Sequence, residues 1–335
     1  MTAGVSIRKG LPPWAWAIAA VVGLLAVNGL RDPAFLHLSL LHGKVFGSPV
    51  DILSEAARPM VVALGMTLVI ATGGVDLSVG SVVAIAGACA ALSLQAGASA
   101  GLAVAAAIGA GLAAGGINAI LIAGLGIQPI VATLILMVAG RGVAQLIVGG
   151  QVIVISQASF EVLSTGTVVG VPIAPVLAAA LFILAWIALR RTAAGLFIEA
   201  VGDNPTAGRF AGLSVGAIKS LAYVVCGGLA GFAGALAAAN IRAADAYRAG
   251  ENMELDAIFA AVIGGTALTG GRFSLIGSFC GALLLQTLAT TLYHLGVPPA
   301  IAPVPKAILI LAVCLAQSDS LRGRLLGRPR RPQSA

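Results

Sequence analysis

GMTLVIATGGVDLSVGS, residues 65–81, begins as an apolar helix, stops at the paired glycines Gly73 and Gly74, presents Asp76, and resumes as a small-residue helix after Ser81. An acid amid roughly thirty otherwise apolar residues is costly in a bilayer unless it faces protein, water or the interface. Non-helical backbone at membrane depth is tolerated only where protein or a cavity covers it. The stretch therefore reads as a broken membrane helix with a polar cluster at the break, which is what a solute pathway needs.

Composition places that stretch in a membrane protein. The 335 residues are 59% hydrophobic and 9% charged, with a mean hydropathy of +1.05, where a soluble domain carries about 25% charged residues. Forty-four glycines predict helices packed closely through small residues. The net charge of +7 does not point to nucleic acid, because aromatics are scarce and the basic residues lie mostly in short loops and the C-terminal tail. Cys89, Cys226, Cys280 and Cys314 all sit in apolar runs without metal-ligand spacing, so no metal, cofactor or disulfide is expected. Arg8 and Lys9 before an apolar run imitate a secretory leader, but no small-residue cleavage site follows, and the run reads as a retained first helix.

Runs of about 20 apolar residues occur near 14–30, 54–74, 79–97, 100–124, 127–148, 172–189, 217–240, 254–270, 273–294 and 301–317. The expected fold is thus an all-α polytopic membrane protein of about ten spans, a single domain over residues 1–335. The short loops at 124–128 and 271–273 predict tight hairpins between antiparallel neighbours. Ten spans put both termini on one side. With the N-terminal segment 1–13 inside, inner segments hold twelve basic residues, and outer loops hold four: Arg31, Lys44, Arg242 and Arg248. The positive-inside rule then makes both termini cytoplasmic. The tail 318–335 is basic and Pro-containing, and reads as a disordered topology signal near anionic lipid. A faint internal echo relates ATGGVDLSVGS (71–81) to VIGGTALTGGRFSLIGS (262–278).

The inner segment 190–218 contains Asn204 followed by Pro205, a strong helix start, with Gly212 as a C-terminal stop. Two helical turns are too short to span or to be stable alone. They either dock into another protein or lie at the interface on Phe210 and Leu213. The chain has no GxxxxGK[ST] phosphate loop, GxSxG, HExxH or Cys/His cluster. Active transport would then draw on a partner or an ion gradient.

These residues resemble a known family. Residues 65–81 are similar to the signature of the permease subunits of bacterial ABC sugar importers of the ribose type. EAVGDNPTAGRFAGLS (199–214) resembles that family's cytoplasmic coupling segment, matching at Gly202, Asn204, Ala207 and Gly212 and departing at Gly208 and Phe210. Stretches 41–53, 127–147 and 240–265 are closer to the galactofuranose permeases than to the ribose ones. The resemblance implies an importer-permease fold with broken helices and no catalytic residue of its own. It also implies a second permease, identical or similar, a cytoplasmic ABC ATPase, a periplasmic sugar-binding protein, and the bacterial inner membrane. Glu199, Gly202, Asp203, Asn204, Pro205, Arg209 and Gly212 would then couple to the ATPase. An ion-coupled secondary sugar transporter, with Asp76 as proton site, is the rival reading.

Five polar positions are candidates for the path. Asp76 either lines it or caps the following helix. Arg141 either snorkels to the outer interface or faces the path with Gln145 on the same helical face. Asn118 and Gln286 either line the path or bond across helices as packing glue. The charged outer loop 239–256 is either a solvated face or a docking face for the binding protein.

Overall fold

A computed structural model describes residues 12–41, 43–298 and 300–317. The first eleven residues and the basic tail 318–335 lie outside the described residues. Helix α1 (Pro13–Arg31) is followed by a short hairpin, β1 (Ser39–Leu41) with β2 (Lys44–Phe46), then α2 (Ser48–Ala71), α3 (Val79–Gln95), α4 (Ala100–Ala119, extended by a π turn to Gly124) and α5 (Pro129–Ile147). An irregular stretch carries β3 (Ile153–Val154), α6 (Ala158–Thr165) and the hairpin β4 (Thr167–Val168) and β5 (Val171–Pro172). The chain continues through α7 (Ile173–Arg191), α8 (Ala194–Asp203), α9 (Pro205–Phe210), α10 (Val215–Ile241), β6 (Ala243–Ala244), α11 (Met253–Ile263), α12 (Leu275–His294) and α13 (Pro303–Gln317).

Every expected span is occupied by a helix. Among the described residues, seven helices are long and apolar enough to cross a membrane, namely α1, α2, α4 with its π turn, α5, α7, α10 and α12. The span expected over 254–270 is cut short, because α11 stops at Ile263. Its 11 residues rise roughly 16 Å, half of a hydrocarbon core of about 30 Å. The chain breaks there because Gly264 is pressed against the backbone of Gly277, and Gly265 takes φ +91°, which a side chain disfavours.

The centre is α2 and α10, with 72% and 67% of their apolar windows buried against 17% for α1 and α7. That asymmetry follows from side-chain size. Gly227 of α10 faces Gly111 and Gly115 of α4, and a Cβ there would overlap the Gly111 carbonyl oxygen and sit 2.8 Å from Gly115 Cα. Gly231 likewise rests on Ala107 and Ile108. Lipid tails supply no hydrophobic force between helices, so close backbone approach through small residues supplies the attraction. The expected hairpin at 124–128 joins α4 and α5 in sequence, but the two scarcely touch. With the glycine face of α4 taken by α10, α5 packs on α3, where Gly140 lies against Ser81 and Ile85.

Substituting Gly227 by Ala forces the α4–α10 contact apart, at about 1–3 kcal/mol. Gly116, with open space around its Cβ position, accepts Ala without that cost. The detergent-solubilised protein should melt several degrees lower with G227A and within a degree or two of the parent with G116A; equal shifts would refute the packing account.

Candidate functional site

The first break, residues 72–78 between α2 and α3, is closed around a buried polar network. Asp76 Oδ1 accepts hydrogen bonds from Ser78 N (3.0 Å), Ser78 Oγ (2.6 Å) and Asn118 Nδ2 (3.2 Å), and Asn118 also donates to Ser78 Oγ (2.9 Å). Asp76 is 1% exposed and Asn118 0%. A carboxylate accepting from the amide two residues on forms an Asx turn, which here leads into α3 through Ser78. Asn118, at the end of α4, ties that turn across to a second helix. Tyr223 OH and Thr133 Oγ1 each approach Val75 O at 3.4 Å, so the unwound carbonyl is also covered by α10 and α5.

The second break, residues 264–274 between α11 and α12, lies beside the first. Gly271 N donates to Ala71 O at 3.0 Å, and Gly270 packs on Gly73. Ser274 caps α12 by accepting from Gly277 N (3.1 Å), and its own N–H reaches Thr266 Oγ1 (3.3 Å). The two stretches that echo one another in sequence are thus both helix–break–helix units, and they meet at their breaks. The end of α8 seals the junction. A Cβ on Gly202 would overlap both Ala71 O and Gly271 N, and Asp203 lies over Gly271.

From that junction the chain runs directly into α9. Asn204 Oδ1 accepts from Thr206 N and Ala207 N, both at 3.0 Å, and Pro205 opens the helix. The helix ends as Leu213 N bonds Gly208 O (2.9 Å) with Gly212 at φ +81°, a Schellman-type stop. Glu199, Asp203, Asn204, Arg209 and Gly212 are exposed, Pro205 is partly so, and Phe210 is 90% exposed. Gly202 is buried.

Arg141, Gln145 and Gln286 lie elsewhere, toward the other end of the helices. After α10 the chain pairs β6 with β3 and then folds back inward. Gly250 lands against Gly80 and Val83, the level at which Gly234 meets Val83, about two turns or roughly 10 Å short of the end of α10. Helix α11 therefore starts within the bundle. Arg141 holds this re-entrant segment by donating to Ala249 O (2.5 Å) and Ala246 O (3.3 Å). With Gln145 it lines a cleft of about 470 Å³, together with Glu251, Asn252 and Glu254. Gln286 lines two further clefts, of about 380 and 470 Å³, whose walls include Glu55, Glu251 and Asp256. Glu55 pairs with Arg58, and Asp256 pairs with Lys306 of α13 at 2.8 Å.

The five candidate path residues thus fall into two groups, Asp76 with Asn118 in the sealed junction and Arg141, Gln145 and Gln286 on open clefts. Sequence reasoning missed Glu251, Asn252 and Glu254 as cleft walls, although it noted the charge of their loop. The usable signal was the pair Gly264–Gly265, which shortens α11 and so draws its start into the bundle.

Comparison with known proteins agrees with this architecture. Residues 48–314 match the family described as branched-chain amino acid transport system / permease component, and the chain belongs to that family. It is 48% identical over 302 residues to the galactofuranose transporter permease protein YtfT of Escherichia coli (strain K12), covering 90% of this chain and 89% of the relative. It is 38% identical over 312 residues to the fructose import permease protein FruF of Bifidobacterium longum (strain NCC 2705), covering 91% and 88%. It is 35% identical over 306 residues to the ribose import permease protein RbsC of Escherichia coli (strain K12), covering 90% and 92%. No solved structure matches. The chain is a multi-pass membrane permease subunit.

Replacing Asp76 by Ala strands the Ser78 and Asn118 donors in a buried site, at about 1–3 kcal/mol for each orphaned group. Asp76→Asn keeps an acceptor at Oδ1 and should lose less. Thermal melting of the two purified variants checks the order, and equal stability of Asp76→Ala and the parent would contradict a role for Asp76 in holding the break.

Proposed function

We propose that this chain is the membrane-spanning subunit of an ATP-binding-cassette importer that moves a monosaccharide, galactofuranose or a related sugar, from periplasm to cytoplasm across the bacterial inner membrane. The supporting observation is the continuity between its ends. The exposed, fully capped α9 runs through Gly202 into the junction of two half-helix breaks, and those half-helices carry the walls of the polar clefts at the other end. A push on α9 therefore reaches both breaks without an intervening flexible segment.

In this reading both termini are cytoplasmic, on the weight of twelve basic residues against four. Residues 204–212 enter a groove on a separate cytoplasmic ATPase, with Phe210 as the apolar knob and Glu199, Asp203 and Arg209 around it. The chain carries no phosphate-binding loop of its own, so ATP is bound and hydrolysed on that partner. A periplasmic sugar-binding protein delivers solute to the clefts, and a second permease, identical or similar, completes the path. The sugar assignment follows the relatives, all three of which are named for sugars and one of which is 48% identical over nine-tenths of the chain.

Phe210 contributes nothing to the fold at 90% exposure, so Phe210→Ala should leave expression and melting unchanged. In the reconstituted complex it should lower ATPase stimulation by the loaded binding protein on the order of ten-fold or more, as loss of an aromatic anchor does at an interface. Unchanged stimulation would remove the docking role from α9.

A further inference from the structure

The three clefts have one residue in common. Glu251 lines the cleft of Arg141 and Gln145 and both clefts of Gln286, so it borders all three. Other carboxylates in these walls are already engaged. Glu55 holds Arg58 and accepts from Asn240 (3.2 Å), and Asp256 holds Lys306. Asp245 accepts from Tyr247 N (2.9 Å) and Arg248 N (3.2 Å). Glu254 is partly buried against Gly80. Glu251 is exposed to the clefts.

Its position is also fixed from behind. Gly250, at φ +69°, abuts the Gly80 carbonyl, Asn252 takes φ +61°, and Arg141 Nη1 donates to the main-chain oxygens of Ala246 and Ala249. Arg141 therefore tethers the segment. Carboxylates in the three walls outnumber cations by five to four. The Glu251 carboxylate can accept hydroxyl hydrogen bonds from a neutral solute and offers an anion no donor.

We propose that Glu251 is the solute-contacting residue of this permease, accepting hydroxyl hydrogen bonds from a neutral polyol where the three clefts join. This rests on the monosaccharide-import reading. The test uses the complete complex of permease, ATPase and binding protein in proteoliposomes, with labelled D-ribose, D-fructose and D-galactose as probes. Two quantities are read, sugar accumulated per ATP hydrolysed and ATPase stimulation by the loaded binding protein. Glu251→Leu should lower sugar per ATP on the order of ten- to a hundred-fold, the worth of a hydrogen bond to a charged group, with stimulation kept within about two-fold. Glu251→Gln should fall between. Normal sugar per ATP in Glu251→Leu overturns the inference and leaves the import reading standing. A parallel loss of stimulation also overturns it and moves Glu251 to a partner interface. Parent complex that carries none of the three sugars defeats the import reading itself. Should Glu251→Leu fail to assemble, Glu251→Cys decides: a charged methanethiosulfonate added outside should block its uptake and spare the parent with its native cysteines, and no block overturns the inference.

Discussion

Broken backbone in an apolar interior has to find hydrogen-bond partners inside the protein, and two breaks solve this for each other. The last carbonyl of α2, Ala71 O, would be an orphan at a helix end, and it accepts from Gly271 N of the other break. That single bond requires the two segments to meet at backbone distance, which only glycines permit. A Cβ on Gly202 or Gly270 would fall on a neighbouring main chain and one on Gly271 would crowd Asp203, while Gly73 takes φ +79°. From this contact the order of the bundle follows. Helices α2, α11 and α12 must converge at one level, and α8 must end on the same point.

The same economy of space sets the rest of the packing. Helix α10 approaches α4 through Gly227 and Gly231, α2 at Cys226, which lies on Gly65, and α3 through Gly234. It can touch all three because its faces are bare. The larger side chains are left for the outside, where α1, α5 and α7 present Ile, Leu and Trp to the surrounding apolar medium. Cross-helix hydroxyl bonds, Thr67 to Ser278 (2.6 Å) and Asn28 to Thr291 (2.7 Å), add direction to contacts that are otherwise only close.

How far the sequence revealed this depends on the range of the interaction. Residues 65–81 disclosed a helix break because Gly-Gly and a lone acid are local signals, and Asn204–Pro205 with Gly212 disclosed α9 for the same reason. The echo between 71–81 and 262–278 hinted at a second break. What could not be read was that the two would touch, since a bond between Ala71 and Gly271 joins residues 200 apart. Hydropathy carried the eleventh helix past Gly264, because apolar composition does not register a φ of +91°. The placement of Arg141 was equally hidden. Its choice between lipid and path was posed in terms of its own helix, and the carbonyls it serves belong to a segment that returns into the bundle.

The two breaks are not held alike. The first is fixed by a buried carboxylate that accepts three hydrogen bonds and reaches α4 through Asn118. The second is held by neutral hydroxyls, Ser274 and Thr266, and by the amide of Gly271. Helix α3 is therefore tied to α4 by side chains at its break, while the second break is closed mainly through backbone, with Gly264 lying flat on Gly277 and no side chain between them. Under the coupling role proposed for α9, a displacement of Gly202 bears on both joints at once, because it lies against Ala71 O and Gly271 N.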